Sequence, residues 1–472
     1  MPFSTEVDPS LETNGAPLEP VPVAPPLPTP RQRMDEGKAR RSTVPRSAHA
    51  RWKPSRNRPD PISLLEESNK TRLQHLVPIR YGRMLISPFT YLRGSPIVMA
   101  NDLAKTPISG IRTQVCGDAH LMNFGIYATP ERNLLFDVND FDETLPGPWE
   151  WDVKRLAASC VVAGRTYGKK GSDCQEAAIA CAQFYRKKMR EYSEMRLLDV
   201  WYSRVDSQAV LEVYKHGSSN SVSATFDKSK QRNSLQALSK LGRVLEGQIR
   251  IVDDPPLVSH VNDPALSESL RRFLSGYHST LQEDRRALLE RFRFVDFARK
   301  VVGVGSVGTR CFIILLDGSH SDDPLFLQIK EAQASILEPF AGKSIYHNHG
   351  RRVVTGQRLL QSASDIFLGW SSDGGFDYYV RQLRDMKGTA DLSAMSGPDL
   401  KDYAELCGWV LARAHARSGD PACIAGYLGK SDAFEQAIAA FAVAYADQTE
   451  KDYEALKTAA ASGRVHAEPV TK

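Results

Sequence analysis

The chain has 472 residues, 42% hydrophobic and 25% charged, an ordinary balance for a globular protein but too long for one hydrophobic core. No apolar run approaches the roughly 18–20 residues of a membrane span, and the Pro-rich start lacks an apolar signal core, so a cytoplasmic location is expected. The net charge of +5 hides an asymmetry: residues 31–58 hold ten Lys/Arg against two acids, leaving the remainder slightly acidic. Seven scattered cysteines without a C-x-x-C pair point to reduced, core-filling thiols and away from zinc.

In chain order, residues 1–59 read as a disordered arm, Pro-rich and then basic. Such an arm suits an acidic partner, whereas the folded body has no basic excess and nucleic-acid binding is not expected of it. Order is expected from Pro61, with a helix ending near Leu103 and short strands over 111–116 and 133–138. Apolar residues at three- and four-residue spacing from Asp152 predict a helix, followed by helices over about 174–197, 231–251 and 265–291. Gly217–Ser223 is a Ser-rich loop. Near Phe292 the period changes to that of strands, interrupted by glycines, with a helix over 352–364 and a strand from Tyr378. Helices over about 398–418 and 431–457 close the chain. The expected units are 60–291, 292–392 and 393–472.

Between Gly117 and Asp152 lie Gly-Asp-Ala-His-Leu-Met-Asn, Phe-Asp-Val-Asn-Asp-Phe-Asp-Glu and Trp-Glu-Trp-Asp. Asp118 and Asn123 have the D-x-x-x-x-N spacing of a phosphotransfer catalytic loop, and Asp140 follows where that chemistry keeps a second metal ligand. In this reading Asp118 accepts the proton of a substrate hydroxyl. Asn123 and Asp140 offer oxygens to Mg²⁺, with Asp137 and Asp142 as second choices. His120 is expected to orient the loop, since Mg²⁺ prefers oxygen, and Asp152 to cap or brace at the start of its helix. Arg80, Arg83 and Arg93, in a glycine-punctuated stretch, are candidate phosphate binders.

Gly303-Val-Gly305-Ser-Val-Gly308 is a G-x-G-x-x-G run. The apolar, β-branched Cys311–Leu316 follows it, so it reads as a phosphate-covering loop between antiparallel strands and not as a dinucleotide fingerprint. Lys330, ending the apolar strand 325–329, is placed to reach nucleotide phosphates. Its carboxylate partner is open: Glu331 and Glu338 are near in sequence, and Gln357 stands where a helix glutamate is usual. If Lys330 and Asp140 lie more than roughly 10 Å apart, no single nucleotide can join them.

Gly117-Asp-Ala-His-Leu-Met-Asn-Phe-Gly, Phe136-Asp-Val-Asn-Asp-Phe-Asp-Glu and Leu411-Ala-Arg-Ala-His-Ala-Arg resemble an uncharacterised bacterial family, domain of unknown function 2252, over about residues 44–456. More distantly the site resembles the aminoglycoside and choline phosphotransferases of the protein-kinase-like superfamily. Asp118, Asn123, Asp140 and Asp152 match their Gly-Asp-x-His-x-x-Asn, Ile-Asp-Phe and Asp-Leu-Ala motifs. The glycine loop and Lys330 follow the catalytic loop here, whereas in that superfamily they precede it. The resemblance therefore implies a circularly permuted, two-lobed α+β fold, with a small antiparallel-sheet lobe and a large helical lobe. It implies ATP and Mg²⁺ as cofactors and phosphoryl transfer to a hydroxyl of a small molecule or protein. A metal-dependent phosphoesterase, a nucleotidyl transferase and a nucleotide-binding pseudokinase are the rival readings.

Overall fold

The computed structural model describes residues 27–214, 234–245, 248–260, 264–320, 323–383 and 386–469. The Pro-rich residues 1–26 and the Gly217–Ser223 loop expected above lie outside them. The fold is mixed α+β with antiparallel sheets. Among the described residues no helix is long and apolar enough to cross a membrane, and all seven cysteines are free and buried.

The largest core is helical. Trp149–Thr166 is buried along nearly its whole length, and it packs with Gly171–Glu194, Gly397–Ser418 and Ala433–Ala461. Small residues (Ala157, Ala158, Ala177, Ala178, Ala412) line the contact and let the helices approach closely. Ser396 opens Gly397–Ser418 with a capping box closed by Asp399.

The second core lies on a six-stranded sheet. Its order is Gly369–Asp373, Phe376–Gln382, Pro324–Ala332, Cys311–Asp317, Arg293–Lys300 and Val258–Ser259. Pro324–Ala332 is buried throughout, as a central strand covered on both faces must be. Helix Pro264–Ser279 places Phe273 against Tyr378 of this sheet and Tyr277 against Phe367 and the edge-strand Gly369. The sheet unit thus begins well before the expected boundary at 292.

Three expectations are corrected. The stretch over 30–59 is ordered: Pro30–Ala39 is a helix capped by Thr29, and His49 is buried. Several of its arginines are engaged by the fold. Arg41 and Arg46 donate to the carbonyls of Tyr427 (2.8 Å) and Leu428 (2.6 Å), at the negative end of helix Pro421–Leu428. Arg58 bridges Asp102 and Asp452. The helix expected over 231–251 ends at Leu241 and gives way to the hairpin Gly242–Leu245/Gln248–Ile251. The helix expected over 265–291 breaks after Ser279. There the Thr280 hydroxyl donates to Trp370 O and accepts from Trp370 N, tying this point to the sheet's edge strand.

Candidate functional site

The carboxylate segment is held by its neighbours before any ligand is considered. Strand Arg112–Val115 pairs with Leu145–Pro148 and delivers the chain to Cys116 and Gly117. Asp152, in the first turn of Trp149–Thr166, accepts from both backbone N–H groups, at 2.7 Å and 3.0 Å. His415 contacts the same carboxylate at 3.2 Å and Tyr185 Oη on its other nitrogen at 2.8 Å. Asp152 is therefore a buried brace, with no access to a ligand.

Asp118 follows and is partly buried. Arg155, three residues beyond Asp152, pairs with its Oδ1. Burial is the largest influence on the Asp118 carboxyl; Arg155 opposes it and the Asp140 charge reinforces it, and the outcome is a pKa pushed up to about 7. His120 Nε2 stands 3.9 Å from Asp118, its ring edge-on to Phe89. Burial, then the positive charges of Arg93 and Arg155, hold His120 well below its usual pKa, so it is a neutral ring.

Asn123 donates through Nδ2 to Asp118 O at 2.7 Å, and its Oδ1 has no hydrogen bond among the described residues. The hairpin Phe124–Ala128/Leu134–Val138 then carries the chain to Asp140. That carboxylate accepts from Asp142 N at 3.3 Å and otherwise faces a cavity of about 320 Å³. Asp137, a second-choice ligand, is turned away: it is buried in an ion pair with Arg413 at 2.6 Å and accepts from Ser362.

The sheet supplies the opposite wall. The Gly303–Gly308 run joins the paired strands Arg293–Lys300 and Cys311–Asp317, the strand–loop–strand arrangement expected. Gly303 (φ 65°) and Gly308 (φ 89°) occupy the left-handed region, where a side chain is costly. The loop is pinned from outside: Arg72 Nη1 donates to Val307 O at 2.6 Å, Leu73 N to Gly308 O at 2.8 Å, and Arg83 to Gly303 O.

Lys330 is buried on the adjacent strand, with Nζ 2.7 Å from Asp142 Oδ2 and 4.0 Å from Asp140 Oδ1. Burial opposes its charge, but Asp140 and Asp142 more than restore it and raise its pKa well above the usual lysine value. Asp142 also accepts from Tyr379 Oη at 2.7 Å. Both its oxygens are engaged, so it anchors the lysine, whereas the expectation was an open metal ligand. The partner of Lys330 is thus Asp142, from the other side of the cavity. Glu331 pairs with Arg310 at 3.2 Å, and Gln357 bonds Gln361. Helix His349–Leu360 contributes Arg352 instead, which donates to the carbonyls of Asp142, Thr144 and Gln333 and fixes the acidic loop to the sheet.

Of the candidate phosphate binders, Arg80 is buried and committed to Ser68, Asn69 and Gly94, and Arg83 to the glycine loop. Arg93 lines the cavity. Arg155, Tyr379 and Arg352 were not anticipated. A signal existed for Arg155, which falls one helical turn after Asp152 and so on the same face of the helix. Tyr379 stands directly across from Lys330 in strand register, which only the fold reveals.

Metal fit rests on donor chemistry. Among the described residues no group of three or more His, Cys, Asp or Glu forms a ready metal set. The Asn123 amide oxygen and the Asp140 carboxylate are hard donors with capacity left, the kind Mg²⁺ accepts when phosphates and water complete its shell.

The chain belongs to the bacterial family described as "Uncharacterized protein conserved in bacteria (DUF2252)", whose model matches residues 72–459. No curated protein and no solved structure shows significant similarity to it.

Proposed function

Given that family membership, which carries no assigned activity, we propose that the chain is an ATP- and Mg²⁺-dependent phosphotransferase acting on a hydroxyl of a small molecule or protein. One observation carries the reading. Lys330, on a strand beside a glycine loop, lies 4.0 Å from Asp140, almost two hundred residues earlier. That is well inside the limit of roughly 10 Å for sharing a nucleotide. The order strand, glycine loop, strand, lysine strand, helix and two strands supports the same reading, as does the D-x-x-x-x-N spacing. A permuted kinase-like chain would bring these parts together in this sequence order.

In this account Lys330 and the glycine loop hold the phosphate tail, and Asn123 and Asp140 would hold the metal. When bound, ATP supplies the phosphoryl group and Mg²⁺ neutralises charge on its tail. Asp118, titrating near neutrality, takes the hydroxyl proton; Arg155 keeps its carboxylate aimed, and neutral His120 packs beside it without competing for metal. Asp152 holds the loop so that these distances do not drift.

With water standing in for the hydroxyl, purified chain should convert ATP to ADP in a Mg²⁺-dependent manner. Asp118→Asn should abolish this while still binding ATP. AMP and pyrophosphate as products would favour nucleotidyl transfer, and ATP binding without turnover a pseudokinase. Failure to bind ATP at all would remove the assignment.

A further inference from the structure

The three arginines on the cavity's helical side differ in what they do. Arg72 and Arg80 donate to backbone carbonyls and to neighbouring side chains. Arg93, on helix Pro88–Gly94, makes no hydrogen bond among the described residues; its guanidinium lies over the Phe89 ring at 6.0 Å, and its Nε is buried. The buried Nε has no partner among the described residues, and the part-buried guanidinium is free to offer its remaining donors to an anion in the cavity.

Its position says which anion. Phe89 carries Arg93 on one side and the edge of His120 on another, and His120 adjoins Asp118. Among carboxylates, Asp118 and then Asp140 do most to favour the Arg93 charge, against its burial. Neither comes within ion-pair range of Arg93: Asp118 pairs with Arg155, and Asp140 stands 4.0 Å from Lys330. Lys330, buried on its strand, is engaged by Asp142. Arg93, His120 and Asp118 thus line one cavity, with Gly305 of the glycine loop lying against the Arg93 backbone carbonyl, while Lys330 is not part of that lining; an acceptor giving its proton to Asp118 enters the space Arg93 borders.

We infer that the acceptor is an alcohol carrying its own anionic group, a phosphate monoester or a carboxylate, which Arg93 grips with its two-pronged fork while the hydroxyl meets Asp118. This rests on the phosphotransferase reading. The anion takes no part in bond making; it fixes the orientation of the hydroxyl.

The test uses the full chain saturated with Mg²⁺ and the β,γ-imido analogue of ATP, so that the nucleotide's own phosphate positions are filled. Inorganic phosphate is then titrated calorimetrically, with acetate in a parallel run to separate a phosphate from a carboxylate acceptor. Wild type should bind one of the two anions. Arg93→Met should weaken it about tenfold or more, and Arg93→Lys, which keeps the charge but loses the fork, should fall between. Arg93→Lys carries the comparison if the Met variant melts early. Equal anion affinity in wild type and both variants overturns the inference, as does a wild type that binds the analogue but neither anion. A wild type that does not bind the analogue overturns the phosphotransferase reading and the inference with it.

Discussion

Asp137 and Asp140 are three residues apart on the same hairpin exit, yet they face opposite fates. Asp137 is fully buried, paired with a fully buried Arg413 and capped by Ser362. Asp140 is partly exposed, accepts one long backbone hydrogen bond and looks into the cavity. The same division separates Asp152 from Asp118, and Arg72 or Arg80 from Arg93. Groups whose bonding capacity is filled position the loop; groups whose capacity is open face the space where a ligand would sit. Motif spacing makes both kinds look alike, and the hydrogen-bond partners tell them apart.

Activity should split along that line with the largest effect. Asp118→Asn is expected to lower ATP turnover by about 10²–10⁴-fold, the usual worth of a positioned base, and to cost less stability than Asp137→Ala, because the amide oxygen can still accept from Arg155. Steady-state ADP release and a melting curve check the two halves; a variant that melts early would place Asp118 among the braces.

Stability should split the opposite way. Asp137→Ala leaves the Arg413 charge buried without its partner and should cost about 3–5 kcal/mol, read from denaturant unfolding. Asp140→Ala, three residues on, should cost less than about 1 kcal/mol. Equal costs would erase the distinction between the two aspartates.

The pH dependence sharpens the role of Asp118. Its pKa is raised to about 7, so the carboxyl is protonated and unable to accept a proton below that value. Turnover should therefore rise as pH increases through about 7. Arg155 holds the pKa down against burial, so Arg155→Gln should move this limb to higher pH. A pH–rate profile that ignores the Arg155 substitution contradicts the pairing.

The smallest effect concerns Gln357. It bonds Gln361 and not Lys330, so Gln357→Met should change stability by no more than about 1 kcal/mol and leave ATP affinity as it was. A large loss of affinity in calorimetry would restore Gln357 as the partner of the lysine.

How much of this was legible in the sequence depends on the range of the interaction. The helix predicted from Asp152, which begins three residues earlier at Trp149, the glycine run between paired strands and the bracing role of Asp152 follow from local spacing, which backbone geometry converts directly into direction. The Lys330–Asp142 pair spans 188 residues and has no periodic signature. Arg41, Arg46 and Arg58 read as a solvated arm because nothing local announces that their partners are the end of a helix near Leu428 and the carboxylates of Asp102 and Asp452. The break after Ser279 was hidden for the same reason, since Thr280 is drawn out by an edge strand ninety residues away.

The central claim is that Lys330 and Asp140 serve one nucleotide. It is met most directly by calorimetric titration of ATP·Mg²⁺ into wild type, Lys330→Ala and Asp140→Ala, each checked for folding by its melting curve. The account predicts measurable binding by wild type and a loss of about tenfold or more in each variant. Undiminished affinity in both would contradict it.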